Sequence, residues 1–226
     1  MDFKIQLYKN EGIKELSNNI FPPHFLLAII GKPGSGKTSL LKHILKSDKF
    51  LFKKFNKVFI ISPSEYEFKQ LFLPKENFYN KLDIGWINNK IEQVKKECEQ
   101  EYKNILFIFD DVIAMLDSLK NNEEILSFIF NRRHKLNDKG MISVMVTAQK
   151  FNKLPTAVRA NLTELIFFKL NSIDYKTIFE DVIYDEKKKY EDVISLLNKT
   201  SQYSNFIIYR IDINKFYYNF DEITID

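Results

Sequence analysis

The sequence predicts an α/β fold built on a doubly wound, mostly parallel central sheet. Three observations carry that expectation. Short apolar runs of strand length recur along the chain, helical apolar stripes alternate with them, and a glycine-rich phosphate-binding motif joins the first run to the first helical stretch. The runs are continuous in Ile, Val and Phe, as strands buried on both faces of a parallel sheet should be.

Taken in order, the first run is Leu26–Ile30, followed by the glycine-rich motif and a helical stretch at Ser39–Lys46. Val58–Ser62 is the second strand. Ile87, Ile91, Val94 and Cys98 then fall on one face at helical spacing and predict a helix through about Tyr102. Ile105–Asp110 is a strand that ends in carboxylates, and Ile125, Leu126, Ile129 and Phe130 form a second helical stripe before Arg132. Ile142–Thr147 and Leu165–Lys169 are the next strands. Phe206–Ile211, with Phe216, Tyr217, Tyr218 and Phe220 behind it, predicts a closing strand or hairpin packed on the sheet.

At 226 residues and 45% hydrophobic, the chain can bury one substantial core. A single domain over residues 1–226 is expected, with a motif core at about 25–170 and a helical and aromatic closing segment at about 171–226. The net charge of +4 is only mildly basic, so any nucleic-acid contact must come from local clusters. Lys187–Lys189 follows Asp185 and Glu186 and is expected to be a solvated face of mixed charge. Cys98, the one cysteine, leaves no intramolecular disulfide, and the charged start has no apolar signal stretch, which together point to a reducing compartment. Phe25–Ile30 is far too short to cross a bilayer, so a soluble chain without a membrane span is expected. His24 and His43 have no partner at metal-ligand spacing.

Gly31, Lys32, Pro33, Gly34, Ser35, Gly36, Lys37 and Thr38 match G-x-x-x-x-G-K-[ST] in full, between a predicted strand and a predicted helix. The glycines let backbone N–H groups turn toward phosphate oxygens, and the following helix, opening near Ser39, presents the positive end of its dipole. Lys37 is placed to neutralise the β- and γ-phosphates of ATP. The Thr38 hydroxyl is placed to serve Mg²⁺, which takes few protein ligands in such sites.

The strand ending in Asp110 and Asp111 has the Walker B pattern. Asp110 is assigned to Mg²⁺, directly or through water, and Asp111 to orienting and deprotonating the attacking water. Gln149 ends another buried strand on the same expected edge; it is either a γ-phosphate sensor or an ordinary strand-terminal polar residue. Arg132 and Arg133 close a helix, where cations suit the macrodipole, but guanidinium also suits an arginine finger reaching a neighbouring subunit. Only four residues are arginine, Arg132, Arg133, Arg159 and Arg210, in a chain that otherwise uses lysine. That usage makes them candidates for bidentate phosphate work.

In sequence order, Gly31–Thr38, Val58–Pro63, Phe107–Asp111, Arg132–His134, Val144–Gln149 and Leu154–Phe168 resemble the FtsK–HerA superfamily. Within it, the chain is most similar to the poxvirus-type genome-packaging ATPases of giant viruses and virophages. The resemblance implies a RecA-like P-loop NTPase sheet, assembled as a homo-oligomeric ring of about five or six subunits that moves double-stranded DNA. It implies Lys37, Asp111 and Gln149 in catalysis, with Arg132, Arg133 or Arg159 as the finger supplied in trans. Capsid or portal-vertex proteins are implied partners, and the host cytoplasm, the viral factory or the virion the implied location. Cellular members usually carry Glu where this chain has Asp111, and they add DNA-guiding or membrane domains. A P-loop small-molecule kinase shares the motif and size but should add a substrate lid. A non-packaging translocase or a non-catalytic nucleotide switch would share the fold.

Overall fold

A computed structural model describes residues 21, 24–47, 51, 54–112, 123–137, 139–183, 191–192, 194–195 and 205–223. All six apolar runs form strands. In chain order the strands are β1 Leu26–Ile30, β2 Lys57–Ile61, the two-residue β3 Phe78–Tyr79, β4 Lys103–Phe109, β5 Gly140–Ala148, β6 Glu164–Phe168, β7 Phe206–Arg210, β8 Lys215–Tyr218 and β9 Asp221–Ile223. They make a sheet in the order β3-β2-β4-β5-β1-β6-β7-β8-β9. Neighbours from β3 to β6 run parallel, and the aromatic tail adds β7, β8 and β9 antiparallel, as a closing hairpin should. The Lys187–Lys189 run lies outside the described residues. Among the described residues no helix is long and apolar enough to cross a membrane.

The helices are α1 Lys37–Lys46, α2 Ile84–Cys98, α3 Glu123–Phe130, the one-turn α4 Thr156–Arg159, and α5 Ser172–Ile178, which runs into a π turn at Phe179–Ile183. Successive strand residues face opposite sides of a sheet, and β1 sorts accordingly. Leu26, Ala28 and Ile30 pack in one core with Ile91 of α2 and Phe128 of α3. Leu27 and Ile29 pack in the other with Leu41 and Ile44 of α1. Helices on both faces are the doubly wound arrangement. Asp83 starts α2 by accepting a hydrogen bond from the Trp86 N–H at 2.9 Å. That helix ends at Cys98, short of the expected Tyr102, because its apolar stripe has run out and Tyr102 is 47% exposed.

β5 separates β1 from β4, pairing Ile30 with Ala148 and Phe109 with Val146. The carboxyl ends of β1, β4 and β5 therefore lie side by side, where open α/β sheets bind ligands. At the opposite, amino edge of the sheet, Glu164 opens β6 fully buried. Thr163 Oγ1 donates to its Oε2 at 2.7 Å, and Arg210 on β7 lies 3.6 Å from its Oε1. Burial pushes this carboxyl up to about 8, against the pull of Thr163 and Arg210.

A folded-state pKa above the unfolded value of 4.5 means that the native chain holds this proton longer than the unfolded chain does. The contribution is complete below the unfolded pKa and is lost as pH rises through the folded one. Glu164→Gln keeps the shape without titrating. The wild-type urea midpoint is expected to fall more than the variant's between about pH 5.5 and about pH 8.5; equal slopes would mean that Glu164 does not hold a proton.

Candidate functional site

The link from β1 to α1 needs its glycines for geometry. Gly34 and Gly36 sit at φ 76° and 98°, in the left-handed region, and Gly36 caps α1. A side chain at Gly31 would collide with Ser35 Oγ and the Phe168 ring, so the loop lies flat against β6. Lys37 is folded back onto the loop, donating from Nζ to the carbonyls of Gly31 at 2.7 Å and Lys32 at 3.2 Å. Burial lowers the Lys37 pKa, while Asp111 and Asp110 oppose that shift from nearby. Thr38 is half-buried, and Lys32, Pro33 and Ser39 are exposed along the loop and first helical turn.

Asp110 is 3% exposed just beyond β4, its N–H donating to Ile61 O at 2.9 Å. Thr147 Oγ1 donates to its Oδ1 at 2.9 Å and Ser62 Oγ donates to its Oδ2 at 3.2 Å. Burial raises the Asp110 pKa, the two hydroxyls lower it, and the charges of Asp111 and Glu67 raise it. A carboxylate offers about four lone-pair sites, so two stay open for a hard cation. Together with the Thr38 hydroxyl in the first turn of α1, Asp110 would supply an all-oxygen donor set of the kind that holds Mg²⁺ through one carboxylate and substrate phosphates. The residues present fit that ion.

Asp111 is exposed and adopts φ 47°, an unusual conformation for a residue with a side chain. Its N–H donates to Thr147 Oγ1 at 2.7 Å, and its Oδ1 accepts from the Gln149 amide at 3.2 Å. Gln149 is thus bonded to the second acid. Thr147, fully buried, serves both acids at once, as donor to one and acceptor from the other. Sequence reasoning assigned neither Thr147 nor Ser62 a role, although both end predicted strands.

Among the described residues, no hydrogen bond or ion pair joins the three arginines to this group. Arg132 is 4% exposed, its guanidinium donating to Ile129 O and His24 O at 3.0 Å each. It ties the end of α3 to the segment before β1, and burial lowers its pKa to about 10. The Arg132 guanidinium thus reaches the last-turn Ile129 carbonyl of α3, as a helix-end cation does, and within this chain it is turned inward. Arg159 is held in cis by an ion pair with Asp181 at 2.8 Å and by the Asn152 and Leu154 carbonyls at 3.3 and 3.2 Å. Arg133 is exposed, on the amino edge.

Thr147→Val tests the shared hydroxyl. It removes the donor to Asp110 and the acceptor of the Asp111 N–H, and a buried group left unpaired costs about 1–3 kcal/mol. The variant is expected to melt lower by that amount and to need more Mg²⁺ for any nucleotide turnover. An unchanged melting curve and Mg²⁺ titration would remove Thr147 from the site.

A phosphate loop on β1, paired acids after β4 and an amide ending the intervening strand, on a mostly parallel sheet, define a P-loop NTPase fold. The chain belongs to the poxvirus A32 protein family, whose model matches residues 14–218. It is 27% identical over 157 residues to uncharacterized protein 015R of Frog virus 3, covering 66% of this chain and 45% of that protein's length. Solved structures share the fold. B204, described as the DNA-packaging ATPase of Sulfolobus turreted icosahedral virus, superposes with a TM-score of 0.60 at 16% identity, covering 88% of this chain and 98% of B204. The genome-packaging NTPase B204 of Sulfolobus turreted icosahedral virus 2, in complex with ATP-gammaS, gives 0.57 at 15% identity over 88% of this chain and 98% of that one.

Proposed function

We propose that this chain is an ATP-hydrolysing motor that moves double-stranded DNA into a viral capsid. The observation that carries the reading is the network at the carboxyl edge. Lys37, Asp110, Asp111 and Gln149 come from three adjacent strand ends, and Thr147 bonds both acids. Family membership and the likeness to structures of viral packaging NTPases support the same class.

On ATP binding, Lys37 leaves the Gly31 and Lys32 carbonyls for the phosphates, and the loop N–H groups surround the remaining oxygens. Asp110 and Thr38 would hold Mg²⁺, which would supply countercharge to the phosphates. Asp111 accepts the proton of the attacking water, and Gln149, bonded to Asp111, senses whether the γ-phosphate is present. The test is ATPase activity with and without long double-stranded DNA, with the mass of the assembly measured in ATP. Stimulation by DNA and a ring-sized mass are expected; a phosphorylated small molecule as product would instead indicate a kinase.

Arg133 is the candidate finger, because its side chain is exposed while Arg132 and Arg159 are engaged. Guanidinium stabilises the planar γ-phosphoryl transition state, and a trans finger contributes about 10³–10⁵ in rate. Mixing Arg133→Ala with Lys37→Ala subunits is expected to restore part of the activity that each lacks alone. No rescue in confirmed mixed assemblies would leave Arg133 a surface cation.

A further inference from the structure

The segment after β2 carries an exposed ridge that the site chemistry does not use. A 3₁₀-helix spans Glu65–Leu71, and side chains three apart eclipse on such a helix. Tyr66, Lys69 and Phe72 follow that spacing. Tyr66 is 78% exposed, Phe72 is 93% exposed, and the Lys69 ammonium lies 4.8 Å from the centre of the Tyr66 ring. Phe68, on the inward face, is fully buried and fixes the helix to the core. Phe72 adopts φ 52°, which an L-residue with a large side chain resists. A phenylalanine that is both in an unfavourable backbone conformation and turned out to water points to a contact made there.

The ridge stands beside the candidate metal ligand. Ser64 N–H donates to Ser62 Oγ at 3.1 Å, Ser62 Oγ donates to Asp110, and the Glu67 charge acts on Asp110. Residues 64–76 hold three glutamates against two lysines, a sign that disfavours nucleic-acid phosphate. Besides the inward-turned Arg132, residues 131–139 hold three Lys or Arg, Arg133, Lys135 and Lys139, against the single acid Asp138, with Arg133 and Lys139 exposed. The first segment follows β2 at the carboxyl edge, and the second precedes β5 at the amino edge. Nine residues of β5 separate those edges by about 30 Å, so the two surfaces do not meet within one chain. They can meet head to tail between copies, in a heterologous contact of the kind that builds rings where the rotation between copies closes.

We propose that the Tyr66–Phe72 ridge is the docking face for the basic 131–139 segment of a second copy of this chain. Docked there, the neighbour brings Arg133 to the edge that carries Asp110 and Asp111, with its guanidinium or lysines able to cap the aromatic faces. The proposal rests on the motor reading above and names the contact by which one copy completes the site of the next.

The test compares wild type with Tyr66→Ser/Phe72→Ser by sedimentation in Mg·ATP, by binding of a fluorescent ATP analogue and by ATPase activity against protein concentration. Nucleotide affinity of the monomer should change less than about twofold. The concentration for assembly and for the rise in activity should increase by about a hundredfold, with roughly tenfold from each ring. Separately tagged Phe72→Cys and Arg133→Cys copies should join through a short bifunctional maleimide only when mixed; Cys98 is buried. Equal assembly of both proteins, or mixed assemblies that never cross-link, overturns the ridge and leaves the motor reading standing. Unchanged assembly with lost DNA retention also overturns it, by assigning the ridge to nucleic acid. A wild type that neither assembles nor hydrolyses ATP overturns both.

Discussion

Lys37→Ala is expected to remove ATP turnover while leaving the fold intact. Lys37 is 9% exposed, and its ammonium donates to two carbonyls of its own loop. Burial lowers its pKa, so the charged form is held in a place that disfavours it until phosphates arrive. A triphosphate supplies the missing countercharge. Removing one preorganised donor to developing charge costs about 10²–10³ in rate, and a cation opposite the transferring group belongs at the upper end of that range. The stability effect runs the other way, since deleting a desolvated cation with no carboxylate partner can be neutral. Turnover at the wild-type rate in Lys37→Ala, with an unchanged melt, would mean that the loop does not hold ATP.

The parts of the site that were legible in the sequence are those whose chemistry fixes a spacing. Gly31 to Thr38 can be read because a loop around phosphates needs left-handed residues at set positions, as Gly34 and Gly36 are. Asp110 and Asp111 can be read because an apolar run ends on them, and all six apolar runs became strands. Thr147 and Ser62 were not legible as functional. Each is one hydroxyl at the end of an apolar run, and its importance comes from β4 lying between β2 and β5, a sheet order that no local pattern encodes.

Arg132 was illegible for a related reason. A cation at a helix end is expected to reach the last carbonyls, as Arg132 does at Ile129, but no local pattern shows that this guanidinium also turns inward to the His24 carbonyl across 108 residues of sequence. Arg133, its neighbour in sequence, stays outside. The choice between them is made by tertiary packing. The Tyr66–Phe72 ridge escaped a reading tuned to periods of 2 and 3.6, because a 3₁₀-helix repeats every three residues.

Asp111→Asn should separate hydrolysis from binding more cleanly than any other change in the chain. Asparagine tolerates the left-handed conformation that Asp111 adopts at φ 47°, so the turn after β4 need not move. Its side-chain oxygen can still accept from Gln149, and the backbone N–H still donates to Thr147. Only the negative charge and the basicity are lost. Loss of a general base costs about 10²–10⁴ in rate, so the variant should bind Mg·ATP near wild-type affinity and turn it over that much more slowly. Asp110→Asn should behave differently. Its amide would face the Ser62 and Thr147 hydroxyls, which can rotate to accept, but the charge assigned to Mg²⁺ is gone. Its Mg²⁺ requirement should therefore rise before its maximal rate falls. Burial raises the Asp110 pKa in the metal-free chain, so the apparent affinity of wild type for Mg²⁺ should begin to weaken at a pH above the range of an ordinary aspartate. Measuring rate against Mg²⁺ for both variants decides the assignment: identical curves would mean that the two acids share one role, and wild-type rates in Asp111→Asn would move the base elsewhere.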